Sequence, residues 1–396
     1  RMAWVLDYLP FGLFHCIDPV IWAKMKKMSA PAFSKQNVQN MAKVFYEESM
    51  VMVDKIKKNP AMKEGINVLR ELNSLTVNVI SKVAFGNESV EYFFGQQFYD
   101  DNSVLLKVVL EAALFNMPEW VWRLTPMYKR ELLAIEGNRR FERACQEVID
   151  RKRRQFKTTS PADSDKRSSP CLIDIMIRQE GISDDEIMAN VKTFYQAGSD
   201  TTSVTMGWAL LLLYRNPTVT EKMREEVKIF FSQPLETMSA SDISDTIAAL
   251  PYSLAVLKEA VRLFPVGPLI FLDFIENEPL ALSNGMVIDS DKSICIHAWS
   301  CLLNEDYFPN ANAMLPERWL TKDPTALAHM EKAFLGFGGG TRACPGMTMA
   351  LSEGVMGLAA LVHHFDFTLA CPDEEVAVEY KFTMQPNKLP LAFTAR

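Results

Sequence analysis

The residues best suited to chemistry lie in one stretch, Phe337-Gly338-Gly339-Gly340-Thr341-Arg342-Ala343-Cys344-Pro345-Gly346. Three consecutive glycines leave a backbone that can turn freely and approach a flat ligand closely. They run into a cysteine followed by Pro345, which fits the first position of a helix. Beyond it, Leu351, Val355, Leu358, Val362 and Phe365 recur on one face of that predicted helix. The unpaired N–H groups and positive end of the helix then lie beside the Cys344 sulfur and favour thiolate over thiol. A thiolate is a metal ligand. Two residues earlier, Arg342 supplies a planar fork of donors suited to a carboxylate.

A glycine cradle, a carboxylate-binding arginine and a thiolate are together what a haem demands: sulfur for the iron, backbone for the porphyrin face, guanidinium for a propionate. The same residues also suit a Gly-rich loop before an ordinary helix with a structural cysteine, and the stretch alone leaves both readings open. Its fixed positions, Phe337-x-x-Gly340-x-Arg342-x-Cys344-x-Gly346, resemble the haem-binding signature of the cytochrome P-450 superfamily. One departure lies upstream, where Gly336 stands in place of the proline often found before the phenylalanine. The resemblance implies that Phe337, Gly338, Gly340, Arg342, Cys344 and Gly346 contact haem b, with Cys344 as the iron ligand.

Such a sulfur needs a partner surface on the opposite side of the haem. Ser183-Asp184-Asp185-Glu186 is a capping box opening a helix that need not stop before Asn216-Pro217, about 45–50 Å long at 1.5 Å per residue. In its middle stands Ala197-Gly198-Ser199-Asp200-Thr201-Thr202. Glycine in a helix interior costs about 1 kcal/mol relative to alanine, and the Thr201 hydroxyl can turn to the Ala197 carbonyl and bend the ladder. These losses suit either a packing notch between helices or a functional gap. The segment resembles the family's oxygen-binding segment, which implies that Gly198 makes room above the iron, Thr201 hydrogen-bonds the bound oxygen and Asp200 relays protons.

Three further segments carry the resemblance. Trp22-x-x-x-Lys26 sits in an apolar-basic helix from Asp18 stopped by Pro31, which by itself reads as an amphipathic surface helix. The family has Trp-x-x-x-Arg here, reaching a propionate, so Trp22 and Lys26 are candidate haem contacts, with a point charge replacing a fork. Glu259-x-x-Arg262 followed by Leu-Phe-Pro, and Pro316-Glu317-Arg318-Trp319, match the family's paired motifs. They imply a buried cluster of Glu259, Arg262 and Arg318 that acts as scaffold. Another propionate-binding arginine usually follows a segment such as Pro268-Leu-Ile-Phe271, but Leu272 and Asp273 occupy that place. Haem retention then rests more on Arg342, with Trp22, Lys26 and His297 contributing; His297 alone reads as a half-buried strand histidine.

The rest of the chain is consistent with a mainly helical fold with a small β part. Helical periodicity is clearest from Asn73 to Phe85, Arg130 to Phe156 and Thr218 to Phe231, and Ser239–Asp245 reads as a polar turn region. Lys157–Pro170 reads as an exposed linker. Asn284-Gly285 signals a hairpin between Val266 and His297, and Val376–Arg396 reads as a terminal hairpin. A net charge of −7 without a basic stripe gives no footing for nucleic acid. The seven cysteines form no C-x-x-C pair and no regular framework, which argues against zinc and a disulfide scaffold.

No apolar run of about 18 residues is free of charge, because Lys107 and Glu111 interrupt the best candidate. The chain starts at Arg1 in aromatic, core-like sequence and reads as a piece of a longer protein. The expectation is therefore a single cytochrome P-450 domain over residues 1–396, without the family's N-terminal anchor and first sheet and helices. It would be a haem–thiolate monooxygenase of the endoplasmic reticulum membrane, facing the cytoplasm, acting on an apolar small molecule. Electrons would come from a flavin reductase or ferredoxin-type donor, docked on Lys24, Lys26 and Lys27. The rival readings are a haem–thiolate isomerase or peroxide-using enzyme, against which Asp200-Thr201 argues, and a non-catalytic haem-binding relative.

Overall fold

A computed structural model describes residues 12, 13, 16, 18–86, 96–115, 117–158, 170–272, 274, 278–381 and 383–396. Asp273 and most of the expected linker lie outside the described residues.

The chain opens with helix α1 (Pro19–Ser29), capped by Asp18, whose Oδ1 accepts from the N–H groups of Val20 and Ile21 at 2.8 and 3.0 Å. A 3-10 turn over Ala30–Phe33 carries Pro31. Helices α2 (Lys35–Lys58) and α3 (Val68–Phe85) follow, joined through the short strand β1 (Ile66–Asn67). Next come α4 (Gln96–Phe115), the single turn α5 (Glu119–Trp122), α6 (Pro126–Thr158) and α7 (Leu172–Ile177).

Central to the molecule is α8 (Asp184–Arg215), 32 residues long. Its start is fixed by the expected capping box: Ser183 Oγ accepts from Glu186 N at 3.1 Å and Glu186 Oε2 accepts from Ser183 N at 3.0 Å. Asp184 and Asp185 complement the positive end, and Pro217 ends the run. Its first turn is tied to α1 by an ion pair between Glu186 and Lys24, and its principal neighbour is α3.

Helices α9 (Pro217–Phe231) and α11 (Pro251–Leu263) pack against it, whereas α10 (Ala240–Ala248) packs on α2 and on the later helix of residues 347–364. The polar segment expected as a turn is thus helix α10: Ser239 and Asp242 form a second capping box, and Ile243 and Ile247, four apart, are buried. The two apolar residues outweigh the polar majority by anchoring one face.

Strands β2 (Leu269–Leu272) and β5 (Ile294–His297) pair antiparallel, and β3 (Leu280–Ala281) with β4 (Val287–Ile288) forms the hairpin turned at Asn284-Gly285, where Gly285 has φ +84°. After α12 (Ala298–Leu302), the 3-10 helix Pro316–Leu320 and α13 (Pro324–Ala333), the chain reaches α14 (Met347–His364). The tail is β6 (Phe365–Leu369), β7 (Val378–Tyr380), β8 (Met384–Pro386) and β9 (Pro390–Ala395). Only β7 and β8 form the expected hairpin; β9 returns to pair with β6 and β1 in a three-stranded sheet. Alternation explains this, since Leu391 and Phe393 are fully buried and must face the helical layer.

One main apolar core extends from Leu13 to Phe393, built chiefly on α2, α3, α8 and α14. Among the described residues no helix is long and apolar enough to cross a membrane.

Candidate functional site

The cysteine loop is folded by its own backbone. Cys344 N donates to Phe337 O at 2.9 Å and Ala343 N to Gly340 O at 3.2 Å, so Phe337–Cys344 closes on itself. Gly338 and Gly340 adopt φ of +71° and +65°, which a side chain would strain. Where a Cβ would stand on Gly340, no atom of the described residues lies within 4 Å. The loop thus presents bare backbone on an open side.

Helix α14 starts at Met347 with Gly346 as its N-cap, two residues later than expected from Pro345. Cys344 is accessible and unpaired, but enough protein surrounds it for desolvation to push the free thiol up, outweighing the Gly346 N–H that pulls it down.

Trp22, Lys26 and Arg342 meet as expected. The Arg342 guanidinium lies over the Trp22 ring, 4.0 Å from its centroid, and the Lys26 ammonium stands 4.9 Å from the same centroid. Lys26 donates to the carbonyl of Thr341 inside the cysteine loop, and Arg342 Nη1 donates to Cys16 O at 3.1 Å. Lys26 therefore ties α1 to the loop directly. The expected lysine patch is correspondingly reduced: Lys24 is paired with Glu186 and Lys26 with Thr341, leaving Lys27 exposed.

Phe337 connects the loop to a charged scaffold. Its ring lies 6.2 Å from Phe334, which meets Trp319 at 5.1 Å, and Trp319 Nε1 donates to Glu259 Oε1 at 2.9 Å. Glu259 and Arg262, both fully buried, are bonded through two N–H···O contacts of 2.7 and 2.9 Å, and Arg318 Nε stands 3.2 Å from Glu259 Oε1. Arg262 also donates to the carbonyls of Leu302, Ala311 and Ala313. Every charge in the expected cluster is thus paired.

The second group of expected residues lies in the middle of α8. Val191–Tyr195 and Thr202–Leu213 are buried, whereas between them only Ser199 is; Ala197 is exposed, and Gln196, Gly198, Asp200 and Thr201 are half-buried. Between these two buried stretches the helix has an open window. Thr201 Oγ1 donates to Ala197 O at 2.7 Å, as expected, and the helix continues unbroken across it. Gly198 serves a different neighbour from the expected one, since a Cβ there would press on Ile80 of α3 at 3.1 Å. Its bareness lets α3 approach, while the open side is formed by Ala197 and Thr201.

Asp200 is held by a residue that sequence reasoning missed. Thr383 Oγ1, in the turn between β7 and β8, donates to Asp200 Oδ2 at 2.7 Å. Burial raises the Asp200 carboxyl above the usual carboxylate range, opposed by the Thr383 bond and by the charge of Lys381. No local signal marks Thr383, because the contact spans 183 residues.

His297 and Leu272 lie on the paired strands β5 and β2. His297 ends strand β5, as expected of a strand histidine, but it is exposed rather than half-buried and caps α12, its Nδ1 accepting from Ser300 N at 3.1 Å. Leu272 is an exposed residue of β2 paired with Ile294.

The donor set suits the expected group: one accessible sulfur, a glycine backbone that is open at Gly340 among the described residues, and two cations gathered on a tryptophan. The comparisons agree. The sequence profile of the cytochrome P450 family matches residues 13–393. Tabersonine 16-hydroxylase 2 of Catharanthus roseus is 26% identical over 369 residues, 90% of this chain and 69% of that protein. Probable cytochrome P450 4ac3 of Drosophila melanogaster is 26% identical over 99% of this chain and 76% of its own length. Cytokinin hydroxylase of Arabidopsis thaliana is 26% identical over 88% and 65%.

Proposed function

Because the chain belongs to the cytochrome P450 family, whose members are haem–thiolate monooxygenases, we propose that it oxidises an apolar small molecule with electrons from a flavin reductase or ferredoxin-type donor. The single observation that carries this is the accessible Cys344 sulfur beside the bare Gly338–Gly340 backbone.

Cys344 would ligate the iron of haem b. Arg342 and Lys26, aligned on Trp22, would hold its propionate side. Once bound, the haem supplies dioxygen activation, for which an electron-rich sulfur is the appropriate ligand. The chain's own part would be to move protons: Thr201 offers a hydroxyl at the open window and Asp200 a carboxyl one residue away, with Gly198 keeping the helix close to α3. Ala197 adds no side chain beyond a methyl, leaving space for substrate. Electrons would arrive on the sulfur side, with exposed Lys27 as the remaining cation of α1. The family members that act on apolar compounds at the endoplasmic reticulum membrane suggest the same place for this one.

Reduced, carbon-monoxide-treated protein reconstituted with haem b tests the reading. The Soret band should take the position of a thiolate-ligated haem and lose it in Cys344→Ala; a histidine-type band in the unaltered protein would exclude Cys344 ligation.

A further inference from the structure

The β7–β8 register pairs Val378 with Pro386, Glu379 with Gln385 and Tyr380 with Met384, which places Lys381 and Thr383 in the connecting turn. This turn is fixed to the rest of the molecule on two sides. Trp208 Nε1 of α8 donates to Met384 O at 3.0 Å, and Met384 N donates to Val266 O at 3.0 Å, beyond the end of α11. Thr383, between that anchor and the turn, is 4% exposed. Its hydroxyl reaches back to the middle of α8 and donates to Asp200.

We propose that Thr383 is the positioning residue of the Asp200 carboxyl, holding it in one orientation and keeping it ionisable beside Thr201. The inference rests on the reading of Asp200 and Thr201 as the proton-handling pair. In the step it serves, the Asp200 O–H bond breaks as its proton passes to a water at the open window, forming hydronium there, and the carboxylate regains a proton from a solvent hydronium, which returns to water. Thr383 keeps its own proton and supplies a hydrogen bond that strengthens when Asp200 is ionised. The charged group facing Asp200 is Lys381 of the same turn, which is itself paired with Glu379 at 3.2 Å. Burial raises the carboxyl, and Thr383 is the first influence opposing that rise. A hydroxyl 183 residues away in sequence thus sets how readily the central helix exchanges a proton.

The test uses ferric holoprotein and infrared difference spectra across pH, with Asp200→Asn identifying the Asp200 carboxyl band. Thr383→Val, equal in shape to threonine, should raise the Asp200 midpoint by about one pH unit, the ten-fold change expected for one bond to a charged group. Thr383→Ser should restore it. Oxygen consumption driven by a reductase should show a pH limb that moves with the infrared midpoint in Thr383→Val and disappears in Asp200→Asn. An unmoved midpoint in folded Thr383→Val overturns the inference whatever the activity does. A midpoint that moves while Asp200→Asn keeps the original pH limb supports the positioning contact but overturns the proton-handling reading beneath it.

Discussion

Gly336 and Val261 meet so closely that a Cβ built on Gly336 would lie 2.2 Å from Val261 Cγ1. The glycine that replaces the family's frequent proline is therefore a requirement of this packing. Phe334 hems it in further, with its ring atoms at 3.1 and 3.3 Å from the same point. Gly336→Ala should destabilise the fold by about 1–3 kcal/mol through overpacking. Val261→Ala in the same chain should recover much of it, because the two changes act on one space. Urea unfolding of the four proteins measures this, and additive losses would show that the contact is not the cause.

The Glu259–Arg262–Arg318 cluster yields a second expectation. Glu259 binds Arg262 through both oxygens, receives the Trp319 indole and also accepts from Leu315 N at 3.0 Å. Arg262→Leu would leave a fully buried carboxylate without its principal partner and three carbonyls without donors. The expected loss is about 3–5 kcal/mol, a large fraction of the roughly 5–15 kcal/mol that keeps a typical domain folded. Soluble yield and the far-ultraviolet circular dichroism melt should both collapse. Lys222→Met, on an exposed pair with Glu317, should change neither by more than about 0.5 kcal/mol.

Those two cases show how far the sequence was legible. The Cys344 loop, Trp22–Lys26 and the charge cluster could be read because each is written in a few neighbouring letters, and the capping box at Ser183 because its two bonds lie within four residues. Thr383 could not, since nothing local distinguishes a strand-end threonine from one aimed at Asp200. Ser239–Asp245 misled because polar composition masked two buried isoleucines one helical turn apart. Gly198 was legible as a notch, but which neighbour fills a notch is decided by the packing of α3, and Ile80 lies 118 positions upstream. The start of α14 slipped by two residues because Pro345 signals a helix without fixing where its hydrogen bonds begin.

Trp22 and Arg342 support a third prediction. Arg342→Lys keeps the charge but loses the planar group that stacks 4.0 Å from the indole centroid and reaches Cys16 O. Haem transfer from reconstituted protein to an excess of apomyoglobin should accelerate about ten-fold, the equivalent of roughly 1.4 kcal/mol. Lys26→Met, which unties α1 from Thr341, should accelerate it as well, whereas Lys27→Met should not. Equal rates for Arg342→Lys and the unaltered protein would mean that the guanidinium contributes nothing to retention.

Glu353 gives the pH dependence. It lies in α14, 2% exposed, and its Oε1 has no hydrogen-bond partner among the described residues. Desolvation raises this carboxyl well above its ordinary value of 4.5, so the folded chain holds the proton more tightly than the unfolded chain does. The sign follows: the stabilising contribution of the neutral form is fully present below pH 4.5 and declines as pH rises through the elevated folded-state value. The slope is at most about 1.4 kcal/mol per pH unit for one proton. Glu353→Met, which fills similar volume without a polar group, should remove this decline and stabilise the protein by about 1–3 kcal/mol at neutral pH. Glu353→Gln should remove the pH dependence but retain an unsatisfied amide, and so stabilise less. Denaturant midpoints from pH 5 to pH 8 decide it, and parallel curves for Glu353→Met and the unaltered protein would show that Glu353 is ionised and partnered in solution.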